Sequence, residues 1–125
     1  MQVVATQAAP QAIGPYAQAI VSDGWIFTSG QIPLTAAGEK IGGDIKGQTA
    51  QVFDNLEAIL ESVGSALAKV VSVTVYMTDL GEFGDMNEVF AQRFGAHRPA
   101  RSTVQVVALP TGARVEISAT ARLDV

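Results

Sequence analysis

Apolar positions along the chain recur with two periods, and the changes between them mark the elements. Residues 17–21 and 25–29 are short apolar runs joined by Ser22-Asp23-Gly24. Asp-Gly between two such runs predicts a tight hairpin, because the favoured two-residue turns need positive φ. The segment around Pro33 is loop-like, with a turn at Ala37-Gly38 and a break at Gly42-Gly43. Over 45–63 the period becomes helical: Val52, Phe53, Leu56, Ile59, Leu60 and Val63 share one stripe, and Asp54, Glu57 and Glu61 lie off it. Asp44 stands where an N-cap belongs and Gly64 where a helix stops. A helix that is apolar on one side only must pack on something flat.

Val70–Met77 alternates, with Val71, Val73, Val75 and Met77 on one side and Ser72, Thr74 and Tyr76 on the other. A second helix is predicted over 82–94, with Phe83, Met86, Val89, Phe90 and Phe94 on its stripe and Gly95 as its stop. A third strand region covers 103–109 and breaks at Pro110-Thr111-Gly112. Residues 114–123 alternate most cleanly: Val115, Ile117, Ala119, Ala121 and Leu123 against Arg114, Glu116, Ser118, Thr120 and Arg122. The expected fold is therefore a single α+β domain over 1–125, in the order β-β-α-β-α-β-β. Two one-sided helices cover one face of a sheet. The other face, with Ser72, Thr74, Tyr76, Glu116, Ser118 and Thr120, is mixed rather than charged. Such a face suits a subunit interface better than bulk water.

Composition strengthens that expectation. Charged residues are 16% of the chain, against about 25% in an ordinary soluble domain. The AVILMFWYC set is 48%, and the 12 glycines come on top of it. No apolar run is long enough for a spanning helix. The first 22 residues carry no charge, but without a basic region before them they do not read as a signal peptide. The expected compartment is the cytoplasm. The chain has no cysteine, hence no disulfides, no thiolate nucleophile and no Cys-based metal site. A net charge of −4 speaks against nucleic acid as a partner. Arg93, Arg98 and Arg101 form one local basic cluster; it suits a small anion, or it is solvated surface.

Common catalytic signatures are missing. His97 is the only histidine, it lies between Gly95 and Pro99, and no G-x-S-x-G, P-loop or G-x-G-x-x-G accompanies it. Neither a metal nor a cofactor is expected. Three segments remain. Gly14-Pro15-Tyr16 is a rigid turn that presents an aromatic hydroxyl or simply packs it. At Thr28-Ser29-Gly30-Gln31, Gly30 allows close approach of a ligand to backbone, unless the segment is an ordinary strand exit. Pro99-Ala100-Arg101-Ser102 fixes an arginine suited to bidentate capture of a carboxylate. Glu116 sits between Val115 and Ile117, where a carboxylate serves either a structural ion pair or chemistry.

At these segments the chain resembles the RidA/YjgF imine deaminase family. The resemblance rests on Ala12-Ile13-Gly14-Pro15-Tyr16, Ser29-Gly30-Gln31-Ile32-Pro33, Gly42-Gly43-Asp44-Ile45, Gln51-Val52-Phe53-Asp54-Asn55-Leu56, Thr78-Asp79-Leu80, Met86-Asn87, Pro99-Ala100-Arg101-Ser102 and Val115-Glu116-Ile117, in this order almost end to end. It implies a chorismate-mutase-like mixed sheet with two helices on one face, a homotrimer with pockets between subunits, and a small imino or keto acid as ligand. It implies hydrolysis of 2-iminobutanoate and 2-iminopropanoate, reactive products of pyridoxal-phosphate enzymes, to 2-keto acids and ammonia. Arg101 would grip the substrate carboxylate and Glu116 would orient the attacking water. Ser29, Gly30, Tyr16, Asn87 and Thr103 would line the pocket. Thr103 stands where many members carry a cysteine, and Val107 where a small or basic residue is more usual. Alternatives within the resemblance are a non-catalytic trimeric binding protein for keto or amino acids, a hydrolase of aminoacrylate or carbamate, and a ribonuclease, which the acidic balance disfavours. A hairpin about 110–113 would put Arg101 near Arg122, with Glu116 roughly 20 Å away along the strand; the sequence leaves this open.

Overall fold

A computed structural model describes residues 1–123 of the chain. Strands β1 (Gln2–Val4), β2 (Ala19–Ser22), β3 (Trp25–Thr28), β4 (Val70–Met77), β5 (Ala100–Gln105) and β6 (Val115–Arg122) form one mixed sheet in the spatial order β1-β2-β3-β6-β4-β5. Helices α1 (Ile45–Glu61) and α2 (Phe83–Phe94) lie against it. This is the α+β architecture the pattern predicts, with one strand added. β1 is only three residues long, too short to show a period, and pairs antiparallel with β2.

The hairpin turns where its chemistry requires. Asp23 and Gly24 both have positive φ, 53° and 80°, and Ser22 pairs with Trp25 across the turn. α1 begins at Asp44, whose carboxylate accepts from the Gly47 N–H at 2.9 Å. Its apolar stripe is buried together with Met86, Val89, Phe90 and Phe94 of α2, whereas Phe83 at the start of α2 is exposed. Phe53 meets Phe90 and Phe94 edge to face, with ring centroids 5.6 and 5.5 Å apart. A short 3-10 turn, Leu80–Glu82, precedes α2, so the helix starts one residue later than its stripe suggests.

Two strand readings change. The alternation of β4 breaks at a bulge between Val70 and Ser72, so Val70 enters the core and Val71 is exposed. Strand β5 lies earlier than 103–109, because its partners are found on β4 rather than locally. It pairs parallel with β4, Arg101 opposite Val73 and Thr103 opposite Val75. β6 sits between β3 and β4, so β5 and β6 form no hairpin.

The register assigns each side chain to a face. Val73, Val75, Met77, Val115, Ile117, Ala119 and Ala121 are buried under the helices. On the other face, Val3, Ile20, Phe27 and Thr120 stand in one row across four strands. Val3 and Phe27 are 66% and 48% exposed in the isolated chain, which is where the excess apolar composition surfaces. Glu116 and Arg122 are the charged strand positions on this uncovered face among the described residues.

Candidate functional site

Glu116 lies near the start of β6, opposite Tyr76 and between buried Val115 and Ile117. Beside it runs the exit of β3, held by a short bridge between Gln31 and Ile117: the Gln31 N–H donates to the Ile117 carbonyl at 2.8 Å, and the Ile117 N–H donates to the Gln31 carbonyl at 3.1 Å. This brings Gly30 against the carboxylate. A Cβ on Gly30 would overlap the Glu116 carboxylate, so any larger residue here must push that side chain aside. Glu116 opens into a cavity of about 370 Å³ lined by Ile13, Tyr16, Ser29, Gly30, Ile32 and Pro110. Burial among these groups pushes the Glu116 carboxyl above its ordinary value. It forms no ion pair with an arginine of its own chain among the described residues.

Ser29 and Tyr16 have defined but different roles. The Ser29 hydroxyl donates to the Ala17 carbonyl at 2.6 Å, leaving only its lone pairs to face the cavity. Tyr16 is 51% exposed at the cavity mouth, and its hydroxyl accepts from the Ile13 N–H at 3.5 Å.

Arg101 lies elsewhere. Its Nη1 donates to Asn87 Oδ1 at 2.6 Å, and its guanidinium lies 4.7 Å from the Phe90 ring centroid and 5.3 Å from that of Phe83. Phe83, Asn87 and Phe90 occupy i, i+4 and i+7 of α2, one face of the helix. That spacing is visible in the sequence, but the hydrophobic stripe absorbed both phenylalanines as core. Among the described residues no carboxylate is within ion-pair reach of Arg101, which remains exposed. The rest of the basic cluster is committed: Arg93 pairs with Asp54 at 2.9 Å, and Arg98 donates to the His97 carbonyl at 2.9 Å and to that of Gly95. His97 itself bonds the Val70 carbonyl through Nε2 at the bulge. Thr103 shares the Arg101 side of β5, and its hydroxyl is buried without a partner.

The predicted residues thus separate into two sets. Tyr16, Ser29, Gly30 and Glu116 line one cavity. Arg101, Asn87 and Thr103 gather at the far edge of the sheet. Arg101 pairs with Val73, hence lies on the helix side, whereas Glu116 pairs with Tyr76 and lies on the uncovered side. By register their Cα atoms are separated by two strands and three residues, roughly 14 Å, and their side chains leave the sheet in opposite directions. One chain does not bring them together. Sequence reasoning also missed Ile13, Ile32 and Pro110 as walls of the cavity.

Gly30→Ala is expected to cut activity at this cavity by at least about tenfold while leaving the fold intact, since the new methyl displaces the carboxylate by a fraction of its own width. Steady-state kinetics beside a far-UV circular dichroism spectrum checks this.

A six-stranded mixed sheet with two helices on one face, and a half-buried carboxylate at its uncovered side, defines a small α+β domain with a cavity at a sheet end. Comparison with known proteins narrows the class. A family model described as Endoribonuclease L-PSP matches residues 6–123, and the chain belongs to this family, the RidA/YjgF family. A RutC family protein of Pyrococcus horikoshii is 48% identical over 121 residues, covering 96% of both chains. A human protein named 2-iminobutanoate/2-iminopropanoate deaminase is 40% identical over 121 residues, covering 96% of this chain and 88% of its own. The crystal structure of Escherichia coli TdcF with bound serine matches with a TM-score of 0.92 at 38% identity, covering 98% of each chain. No helix among the described residues is long and apolar enough to cross a membrane.

Proposed function

We propose that the chain hydrolyses small 2-imino acids, 2-iminobutanoate and 2-iminopropanoate, to 2-keto acids and ammonia, in sites shared between the subunits of a homotrimer. The observation that carries the reading is the pair of half-sites: an arginine without a carboxylate partner, stacked and oriented on one side of the sheet, and a half-buried carboxylate in a cavity on the other. Each lacks what the other supplies. Docking of one chain's sheet edge against a neighbour's uncovered face joins them and covers the apolar row at Val3 and Phe27. The human relative's name supports the reaction class. Serine in the TdcF structure is a carboxylate ligand of the right size.

The chemistry asks little of the protein. A protonated imine carbon is already electrophilic. Arg101 holds the substrate carboxylate, a charge-assisted contact of roughly 1.5–3 kcal/mol. Glu116 accepts a proton as water adds to the protonated imine carbon and passes it to the nitrogen; the C–N bond then breaks as the hydroxyl gives its proton back to Glu116 and the carbonyl forms, and the departing ammonia carries that proton away as ammonium. Its raised pKa makes Glu116 a stronger base than an exposed carboxylate.

The test is ammonia release from freshly generated 2-iminobutanoate. Acceleration at micromolar enzyme is expected. No acceleration, with 2-ketobutyrate still bound, would move the reading to a binding protein. Light scattering that gives a 13.0 kDa particle would remove the shared site.

A further inference from the structure

Four carboxamide side chains are buried: Gln18, Gln31, Gln48 and Asn55. Gln31 belongs to the bridge beside Glu116. The other three each bind backbone of a segment that contributes a wall residue to the cavity. Gln18 Nε2 donates to the carbonyls of Pro10 at 2.8 Å, Thr6 at 3.0 Å and Ala9 at 3.4 Å, and its Oε1 accepts from the Thr6 N–H at 2.7 Å. This ties down the segment leading to Ile13 and Tyr16. Asn55 Nδ2 donates to the carbonyls of Leu34 at 2.9 Å and Ile32 at 3.1 Å, and Gln51 Nε2 fixes the amide's orientation by donating to Asn55 Oδ1 at 2.9 Å. This holds the segment after Gly30. Gln48 Oε1 accepts from the Arg114 N–H at 3.0 Å, securing the turn that begins at Pro110.

A buried amide is costly unless its donors and acceptor are paired, so an apolar side chain is the ordinary occupant of such positions. Here three amides, one just before β2 and two on α1, serve three segments remote in sequence, and Ile13, Ile32 and Pro110 of those segments meet around Glu116. Gln48 and Asn55 are seven residues apart on α1, the same face two turns on. We infer that Gln18, Gln48 and Asn55 are positioning residues: they latch the three cavity walls shut around Glu116. The inference rests on the reading of that cavity as the water-activating half of the site. The latches touch neither substrate nor Glu116 itself.

The groups that titrate beside Glu116 are Tyr16 at the mouth and Tyr76 on the neighbouring strand, with Arg101 of a second copy in the proposed trimer. Opening the walls admits water and returns the carboxyl toward its ordinary value, an effect that lost global stability alone does not produce. The experiment is a carbon-13 NMR titration of the Glu116 carboxyl in the full chain, assigned by comparison with Glu116→Gln. Gln18→Met and Asn55→Leu keep side-chain bulk and remove the donors. In both, the Glu116 pKa is expected to fall, and kcat/KM for 2-iminobutanoate to drop on the order of 10²-fold. Gln51→Ala, at a half-buried position, loosens Asn55 without emptying the core and is expected to move the titration the same way by less. Folded variants with an unchanged Glu116 titration overturn the inference; should the two bulk-conserving variants fail to fold, an unchanged titration in Gln51→Ala does so. A shifted titration in a chain that hydrolyses no imine leaves the latches standing and removes the deaminase reading instead.

Discussion

Chains carrying Arg101→Ala and chains carrying Glu116→Gln, each nearly inactive alone, are expected to regain imine hydrolysis when unfolded together and refolded as a mixture. The argument is geometric. Arg101 and Glu116 of one chain leave the sheet on opposite sides, so under the proposed function a working site would take its arginine from one copy and its carboxylate from the next. A site built from the Glu116→Gln chain's arginine and the Arg101→Ala chain's glutamate is intact. With equal amounts and random assembly in a closed ring, about a quarter of sites are of this kind, so activity returns to about a quarter of wild type. Arg101→Ala alone is expected to lower kcat/KM by at least about 10²-fold, the scale of a lost charge-assisted carboxylate contact of roughly 3 kcal/mol. Arg101→Lys is expected to restore little. A lysine offers neither the planar stack on Phe90 nor a fork that serves Asn87 and a carboxylate together. Mixed oligomers verified by native mass spectrometry but without recovered activity would sink the shared site.

That geometry also marks how far the sequence could be read. Elements whose stabilising contacts repeat along their own length were legible: both helices, the Asp23-Gly24 turn, and β4 and β6 with one apolar face. β1 was not, because three residues carry no period. The limits of β5 and its neighbour were not, because they depend on parallel pairing with β4 across the whole of α2. The site followed the same division. Gly30 and Glu116 stood out singly, one by its lack of a side chain beside a strand end, the other as a charge in an alternating apolar strand. Their contact depends on the Gln31–Ile117 bridge, which no local pattern encodes. Whether Arg101 and Glu116 share a face is a question of parity. Alternation fixes parity within a strand, but every connecting loop resets it, and here only the register through Val73 and Ala119 decides it. The aromatic stack under Arg101 was hidden for another reason. Phe83 and Phe90 fit a core stripe, and nothing in the stripe says that its edge serves a guanidinium instead.

Replacing Glu116 by glutamine is expected to slow imine hydrolysis by about 10²–10⁴-fold, the usual contribution of a positioned general base, and to raise the thermal midpoint at neutral pH. The second effect follows from the direction of the pKa shift. Burial holds the carboxyl above its unfolded value, so folding favours the protonated form. The stability this group contributes is complete below the unfolded pKa and is lost as pH rises through the folded one. At neutral pH the ionised Glu116 opposes folding, and glutamine removes that opposition. The stability advantage of the variant should therefore vanish in acid and appear as pH rises through the folded pKa of Glu116. The wild-type kcat/KM profile should show its acid limb in the same interval, above the ordinary carboxylate range, because the base works only when ionised. In the proposed trimer, an Arg101 from a second copy facing the carboxylate would pull the other way. Repeating both measurements in an Arg101→Ala background isolates burial: the stability gain from Glu116→Gln should grow, and the titration of Glu116 should move further upward. A Glu116→Gln chain less stable than its parent at neutral pH, in that background, would mean that the carboxylate is held by favourable contacts rather than kept ionised at a cost. The same carboxylate would then be a structural group, and the cavity around it would need another base.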